Sequence, residues 1–257
     1  FVVSLGLGVR MAPAFLLGFL GGAVADRMDR RQLLGLTSLG MAVVGAGLGV
    51  LVLMDRIEHL PSLNYEVATG TLSHTGATNA LVRGMDAIVH GADTGLGESE
   101  SDRLDLAMRC TYNLLWAAAE EGVARVVLLS SLQVLAGYDE DMTVTETWRP
   151  VPTTDLDVLS HYLSESVCRE FGRERKTGII CLRLGDLVWG DEGEGVRSSS
   201  ALYFDDAVQA VERAMAAGRP AAGPDWKLLH IQSAVPGARF ATTKAMDYLE
   251  YSPVERG

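Results

Sequence analysis

The sequence predicts an α/β fold in which a parallel β-sheet is covered by helices and preceded by an apolar helical hairpin. Two observations predict it. From about residue 50, short aliphatic or β-branched runs alternate with helical stretches rich in Ala, Leu and Glu, which is typical of a parallel sheet. Residues 1–49 are largely apolar apart from Arg10 and the charged turn at 26–31. The chain of 257 residues has room for one large domain or two small ones, and we expect a boundary between 1–49 and 50–257.

The N-terminal segment contains two apolar runs on either side of a charged turn. Residues 32–54 carry no charge. As a helix they would be about 34 Å long, against about 30 Å of bilayer hydrocarbon. Residues 11–25 are also uncharged but form a shorter run.

The basic turn at 26–31 is typical of a cytoplasmic loop, whereas a signal peptide carries its basic residues at its start. We expect 1–49 to be a membrane hairpin in contact with lipid. The alternative is a hairpin buried in the protein core. If 1–49 is not inserted in a membrane, we expect the protein to be cytoplasmic.

The charged turn also resembles part of a known family. The segment GFLGGAVADRMDRRQLL is similar to the loop between the second and third transmembrane helices of major facilitator superfamily transporters. The matching residues are Gly22, Asp26, Arg27, Arg30 and Arg31. A transporter of that family has about twelve membrane helices. The resemblance therefore implies a remnant that cannot transport anything.

Four apolar runs in the rest of the chain predict strands, and three amphipathic stretches predict helices. The strands are expected at 86–90, 124–130, 178–183 and 227–231, and the helices at 102–121, 155–172 and 205–217. In a doubly wound sheet, ligands bind beyond the carboxyl ends of the strands. Polar or small residues directly after the predicted strands are therefore the first candidates for a functional site.

Charge and cysteine usage exclude several classes of function. The net charge is −11, and an acidic protein of this kind repels phosphate backbones, so we expect no nucleic-acid partner. The three cysteines, Cys110, Cys168 and Cys181, form no C-x-x-C pair, and the five histidines form no H-E-x-x-H motif. This pattern indicates reduced thiols rather than a disulfide framework or a zinc site.

Eight segments, in order, resemble the extended short-chain dehydrogenases, the NAD-dependent epimerase/dehydratase family. They are VLVLMDR (50–56), EVATGTL (66–72), GMDAIVHGA (84–92), TYNLLWAAAEEGVARVVLLSS (111–131), LSHYLSESVCREF (159–171), CLRLGDLVWG (181–190), LYFDDAVQAVERAM (202–215) and ARFATTKAMDYLEYSP (238–253). The resemblance implies a Rossmann-like sheet that is incomplete at its N-terminal βαβ unit. In it, 50–54 is similar to the family's second strand and 66–69 to its third.

The resemblance implies a nicotinamide dinucleotide cofactor and a set of residues around it. Asp55 corresponds to the acidic residue that holds the adenosine ribose, which favours NAD, whereas the neighbouring Arg56 is suited to the 2′-phosphate of NADP. The implied cofactor-binding residues are Asp55, Arg56, Thr71, Leu72, Gly91, Ala92, Ser130, Leu184, Gly185 and Leu187. From spacing alone, each of these is equally well explained as an ordinary loop or strand residue.

The family's chemistry uses a serine and a Tyr-x-x-x-Lys pair, which Ser131, Tyr162 and Ser166 resemble in position. Free tyrosine has a pKa near 10, so tyrosinate is scarce at neutral pH. In the family, a lysine one helical turn further on lowers that pKa. Ser166 stands in the lysine position and supplies no charge. Tyr162 is therefore either a catalytic residue with weakened chemistry or a half-buried structural tyrosine.

The phosphate-binding turn of the family has no good counterpart. The glycines of VVGAGLG (43–49) are spaced G-x-G-x-G rather than G-x-x-G-x-x-G. Asp55 follows Gly49 by six residues, where about twenty are expected. The glycines are more simply explained as small residues of an apolar helix. A truncated or fused reading frame accounts for both this gap and a chain that begins with Phe1.

These observations predict an NAD(P)-dependent oxidoreductase or epimerase domain that acts on a sugar nucleotide or a related alcohol. We expect a small-molecule substrate, and the fold is compatible with a homodimer. Loss of the phosphate turn and of the lysine predicts weak cofactor binding and little hydride transfer. Two alternatives stay open, a nonenzymatic dinucleotide- or ligand-binding relative and a transporter remnant joined to an inert domain.

Overall fold

The computed structural model describes residues 2–6, 50–54, 66–69, 72–91, 99–174, 176–188 and 198–254, the first three ranges by their backbone. The strands are β1 (Val2–Gly6), β2 (Val50–Met54), β3 (Glu66–Thr69), β4 (Ala87–Gly91), β5 (Arg125–Ser131), β6 (Gly178–Leu184), β7 (Asp186–Val188), β8 (Ala201–Tyr203) and β9 (Trp226–Ile231). The α-helices are α1 (Gly76–Val82), α2 (Glu100–Asp105), α3 (Thr111–Glu120), α4 (Leu156–Arg173), α5 (Phe204–Ala216) and α6 (Thr243–Leu249). A π-helical turn (Leu106–Cys110) precedes α3, and a 3₁₀ turn (Leu132–Leu135) follows β5.

The main sheet of the described residues has seven strands in the order β3-β1-β2-β4-β5-β6-β9. Strands β2, β4, β5, β6 and β9 pair in parallel, as the strand–helix alternation predicts. The predicted helices at 155–172 and 205–217 correspond to α4 and α5. The helix predicted at 102–121 is divided into α2, the π-helical turn and α3. The α/β prediction is therefore confirmed.

The N-terminal half of the sheet differs from the sequence prediction. The segment 50–54, predicted to be the second strand, pairs directly with β4, which is the place of the first strand in the order 3-2-1-4. The second place is held by β1, which is antiparallel to both neighbours. Residues 2–6 are thus part of the sheet although they lie in the segment predicted to be a hairpin. The apolar runs at 11–25 and 32–49 lie outside the described residues. Of the helices that the structure describes, none has the length and apolar character needed to cross a bilayer.

Helices cover both faces of the sheet, and neighbouring strand residues alternate between two cores. Ile88, Val126 and Ile179 pack with α3 and α4 in one core. Val127 and Ile180 point the opposite way and pack with α5 and α6 in the other. Both sets are buried. This explains why the strands appear in the sequence as continuous aliphatic runs rather than as alternating patterns.

Candidate active site

The carboxyl ends of the central strands meet along one edge of the sheet, which we call the carboxyl edge. The register pairs Gly91 with Leu129, two residues before the end of β5. It also pairs Ser131 with Leu184, the last residues of β5 and β6. The structure therefore brings Gly91, Ser131 and Leu184 to the same edge, where an open α/β sheet binds its ligand.

Ser130 is held by a buried network rather than exposed at the edge. Its Oγ donates to Oε1 of Glu165 over 2.6 Å. The same carboxylate accepts two hydrogen bonds from Arg183, at 2.8 Å from Nε and 2.7 Å from Nη2. Burial disfavours the charge of Arg183, but the hydrogen bonds and attraction of Glu165 outweigh it and raise the pKa of the guanidinium. Ser130, predicted to bind cofactor, is thus part of the scaffold that joins α4 to β5 and β6.

Ser131 is the last residue of β5 and is half-buried. Its Oγ accepts a hydrogen bond of 3.1 Å from the backbone N–H of Gln133 and so caps the 3₁₀ turn. A hydroxyl that accepts in this way keeps its own proton available to donate. Ser131 is therefore suited to donating a hydrogen bond to an oxygen of a small molecule at the carboxyl edge.

A second polar group at this edge was not predicted from the sequence. The carboxylate of Asp186 accepts hydrogen bonds from Gln133 Nε2 at 3.1 Å, Ser198 Oγ at 2.9 Å and Ser200 Oγ at 2.6 Å. Gly185, directly before it, lies against the carbonyl of Ser200, where an added Cβ would collide. The signal in the sequence was that Gln133 and Asp186 each lie two residues beyond the end of a strand, β5 and β6.

The predicted catalytic pair on α4 has a mainly structural environment. The half-buried ring of Tyr162 packs against an apolar cluster that includes Leu132, Val134 and Phe240. Ser166 Oγ donates to the carbonyl of Tyr162 over 2.9 Å, a common use of serine inside a helix. Within the described residues, Tyr162 and Ser131 share no hydrogen bond.

The predicted dinucleotide site is only partly matched by the structure. Asp55, Arg56, Thr71 and Ala92 lie outside the described residues. Leu72 is buried in the core, and Leu187 is half-buried on β7. At the end of β4, an added Cβ on Gly91 would meet none of the described residues within 4 Å, and this small residue at the carboxyl edge suits the nicotinamide half.

The pyrophosphate half lacks its usual sequence. A dinucleotide-binding sheet carries its glycine-rich turn after the strand beside the fourth strand, a place held here by β2. The segment that follows β2, DRIEHLPSLNY (55–65), contains no glycine. The residues present therefore fit the nicotinamide half better than the pyrophosphate half.

Metal and thiol chemistry find no support in the described part of the chain. It contains no group of three or more His, Cys, Asp or Glu side chains that could hold a metal ion. Cys110, Cys168 and Cys181 are buried free thiols. Burial raises the pKa of Cys168 and Cys181 well above the ordinary range, and this keeps them protonated and unreactive.

The chain is similar in sequence to curated uronate dehydrogenases from two Pseudomonas species. Uronate dehydrogenase of Pseudomonas syringae pv. tomato is 25% identical over 168 residues, which cover 65% of this chain and 60% of that protein. Uronate dehydrogenase of Pseudomonas putida is 24% identical over 151 residues, covering 58% of this chain and 55% of that protein. The chain thus spans about 60% of the length of the curated relatives it matches.

Solved structures share the fold. Glucuronic acid dehydrogenase from Chromohalobacter salexigens superposes with a TM-score of 0.69 at 20% identity, covering 90% of this chain and 82% of that one. A mutant uronate dehydrogenase from Agrobacterium tumefaciens in complex with NAD superposes with a TM-score of 0.71 at 21% identity, covering 86% of this chain and 81% of that one. These similarities establish the Rossmann-like architecture.

The family follows from a match over most of the chain. The model of the NAD dependent epimerase/dehydratase family matches residues 17–199, well over half of the 257 residues. The match begins at residue 17, within the segment predicted to be a hairpin, and ends beyond β7, so it includes β2 to β7. The chain belongs to the NAD-dependent epimerase/dehydratase family.

Proposed function

We propose that the chain is an NAD-dependent oxidoreductase that oxidises a hydroxyl group of a uronate or a closely related sugar. The observation that carries the proposal is the position of Ser131 at the end of β5, at the same sheet edge as Gly91 at the end of β4. The curated relatives, both uronate dehydrogenases, favour a sugar acid over a sugar nucleotide as the substrate.

The residues at the carboxyl edge have separate roles in this proposal. Ser131 donates a hydrogen bond to the substrate oxygen. Gly91, Leu184 and Gly185 line the place of the nicotinamide, and the NAD-bound neighbour together with Asp55 favours NAD over NADP. When bound, the dinucleotide supplies an acceptor for a hydride from the substrate carbon. The network of Ser130 and Glu165 keeps the end of β5 fixed against α4.

Cofactor binding is weaker in this proposal than is usual for the family. The segment after β2 has no glycine with which to bring backbone N–H groups close to the pyrophosphate. Each charge-assisted hydrogen bond that is lost costs roughly 1.5–3 kcal/mol. We therefore expect turnover to depend on a high NAD concentration.

A substrate panel tests the reaction class. The full chain is incubated with NAD or NADP and with glucuronate, galacturonate, glucose or UDP-glucose, and NADH or NADPH absorbance is followed. The proposal predicts the highest rate with a uronate and NAD. Epimerisation of UDP-glucose without net formation of NADH would instead identify an epimerase.

A nonenzymatic ligand-binding role is the second candidate, favoured by one observation. The Ser166 hydroxyl is bonded to the backbone of its own helix and brings no positive charge to Tyr162. Dinucleotide binding without turnover on any member of the panel would support this candidate.

Three proposals about the rest of the protein rest on the sequence alone. They are the division into 1–49 and 50–257, lipid contact through 1–49, and a homodimer. Co-sedimentation of the full chain with lipid vesicles tests the lipid contact, and limited proteolysis tests the division. Analytical ultracentrifugation tests the homodimer. A transporter remnant joined to an inert domain would bind vesicles but not a dinucleotide.

A further inference from the structure

The direction of α4 across the sheet determines which of its side chains reach the carboxyl edge. The last turn of α4 lies at the amino end of β9, where Asp225 N donates to the carbonyl of Gly172 over 2.9 Å. Earlier in the helix, Glu165 contacts Ser130 and Arg183 near the carboxyl ends of β5 and β6. The helix therefore runs from the carboxyl edge towards the amino edge, and residues before Glu165 lie at or beyond the carboxyl edge.

His161 lies in the middle of the face that α4 turns towards the sheet. With about 100° between successive residues, the buried positions Ser160, Ser164, Glu165 and Cys168 occupy one arc of the helix. His161 falls within that arc, one turn before Glu165. Its side chain is nevertheless only half-buried. We attribute this exposure to the position of His161 near the start of α4. There the helix extends beyond the ends of the strands, and its sheet-facing side looks onto the carboxyl edge.

Tyr162 is turned about 100° away from His161 around the helix axis. Its ring packs against the apolar cluster that contains Leu132, Val134 and Leu135 of the 3₁₀ turn after β5. The apolar cluster at this side of the helix takes up the tyrosine ring. The two neighbouring residues thus have different surroundings, and His161 is the one on the sheet-facing arc.

We propose that His161 is the α4 side chain that faces the ligand and that it serves as the general base of the proposed oxidation. The inference rests on the proposed function. A ring nitrogen of neutral His161 accepts the hydroxyl proton as the carbon–oxygen double bond forms, and the proton passes on to solvent. The hydrogen on the same carbon leaves with two electrons as a hydride to the oxidised dinucleotide. Ser131 holds the substrate oxygen during this change.

A histidine base explains why the helix can lack the lysine. An unperturbed imidazole has a pKa near 6.5 and is largely neutral just above pH 7, whereas a free tyrosine needs a cation to ionise there. With His161 as the base, the reaction does not need a positive charge at position 166 to lower the pKa of a tyrosine.

Turnover of three variants tests the catalytic part. The full chain is assayed with a uronate at high NAD concentration as wild type, His161→Gln, Tyr162→Phe and His74→Gln. We expect His161→Gln to lower kcat by at least about 100-fold with little change in KM, and to lose more than Tyr162→Phe. His74→Gln is the matched control, because His74 is an exposed histidine that packs on Trp116. It should keep wild-type kcat.

A spectroscopic readout separates failure of this inference from failure of the proposed function. The chain is labelled with ¹³C-histidine, the His161 signal is assigned by its loss in His161→Gln, and NAD and a uronate are added. We expect the His161 ring signals to shift, while those of the buried His90 and His230 do not. This measurement needs no turnover.

A large loss of kcat in His161→Gln supports the inference. If the chain shows no turnover, the proposed function fails, but a shift of the His161 signal still supports the part of the inference that places His161 at the ligand. Two results overturn the inference, namely Tyr162→Phe losing kcat while His161→Gln keeps it, and a His161 signal that saturating NAD and uronate leave unchanged.

Discussion

Glu165 on α4 and Arg183 on β6 form a buried, two-pronged ion pair, with N–O distances of 2.8 and 2.7 Å. The side chains are 7% and 1% exposed, so water contributes little to their solvation. Ser130 donates a third hydrogen bond to the carboxylate. The pair holds α4 at a defined height on the sheet, and this height places His161 at the carboxyl edge.

Removing one charge of this pair should destabilise the fold strongly. Glu165→Gln leaves the buried guanidinium of Arg183 without the carboxylate to which it is hydrogen-bonded, and breaking such a pair costs about 3–5 kcal/mol. The free energy of unfolding from urea denaturation measures the loss. The matched control is Glu170→Gln, which breaks the exposed pair of Glu170 with Arg173 and should cost less than about 1 kcal/mol. Equal losses in the two variants would contradict the assigned role of the buried pair.

A side chain at position 185 should disturb the carboxyl edge. In Gly185→Ala the new Cβ meets the carbonyl of Ser200, and relieving such crowding costs about 1–3 kcal/mol. In the control, Gly218→Ala, the added Cβ meets nothing within 4 Å, and the change should stay within about 0.5 kcal/mol. Thermal unfolding of both variants checks this. Indistinguishable melting temperatures would contradict a destabilising contact between a side chain at position 185 and Ser200.

Acid should destabilise the protein through two buried histidines of its described part, His90 and His230. Burial lowers the pKa of His90 to about 4 and that of His230 to about 3, against about 6.5 in the unfolded chain. Between these values and pH 6.5 the unfolded state binds protons that the folded state does not. Stability is therefore complete above about pH 6.5 and falls as the pH decreases, by up to about 1.4 kcal/mol per pH unit for each histidine.

His230→Leu isolates one of these contributions. The ring of His230 lies against the edge of Phe240, with ring centroids 5.8 Å apart, so a leucine of similar size can take its place in this buried position. Urea midpoints measured from pH 7 to pH 4.5 should fall less steeply in His230→Leu than in the wild type. Parallel curves would mean that His230 is already protonated in the folded state or exposed to solvent.

The fold could be predicted from the sequence where the hydrophobic pattern is continuous. The strands around Val89, Val127 and Ile180 are buried on both faces, so their aliphatic runs are unambiguous. The second-strand assignment of 50–54 failed because a run such as VLVLM contains no information about which strand it pairs with. The strand at 2–6 was missed because an apolar segment without charges looks equally like a helix.

The sequence predicts which edge of the sheet holds the candidate site, but it does not predict which side chains face a ligand there. Ser131 and Gly185 follow strands and could be found in this way. His161 was missed because the Tyr-x-x-x-Lys pattern draws attention to Tyr162, one residue further on. The rotation and height of α4 depend on the contacts of Glu165 with Ser130 and Arg183, which the sequence does not show. The hydrogen bonds of Asp186 to Ser198 and Ser200 join residues that the sequence separates.

Weak dinucleotide affinity is expected because residues 55–65 contain no glycine. Isothermal titration calorimetry with NAD should give a dissociation constant well above the micromolar range. Gly45→Ala should leave that affinity unchanged, since the 43–49 glycines do not have the spacing of a phosphate-binding turn. Micromolar binding that Gly45→Ala abolishes would show that this segment holds the pyrophosphate after all.

The most direct test of the central claim is NADH formation from a uronate by the full chain, with and without the Ser131 hydroxyl. We predict measurable turnover at high NAD concentration that falls by at least about 100-fold in Ser131→Ala. The exposed Ser252 provides the control variant, Ser252→Ala, which should keep the wild-type rate. Turnover that survives unchanged in Ser131→Ala, or a wild-type chain that forms no NADH from any uronate, would contradict the account.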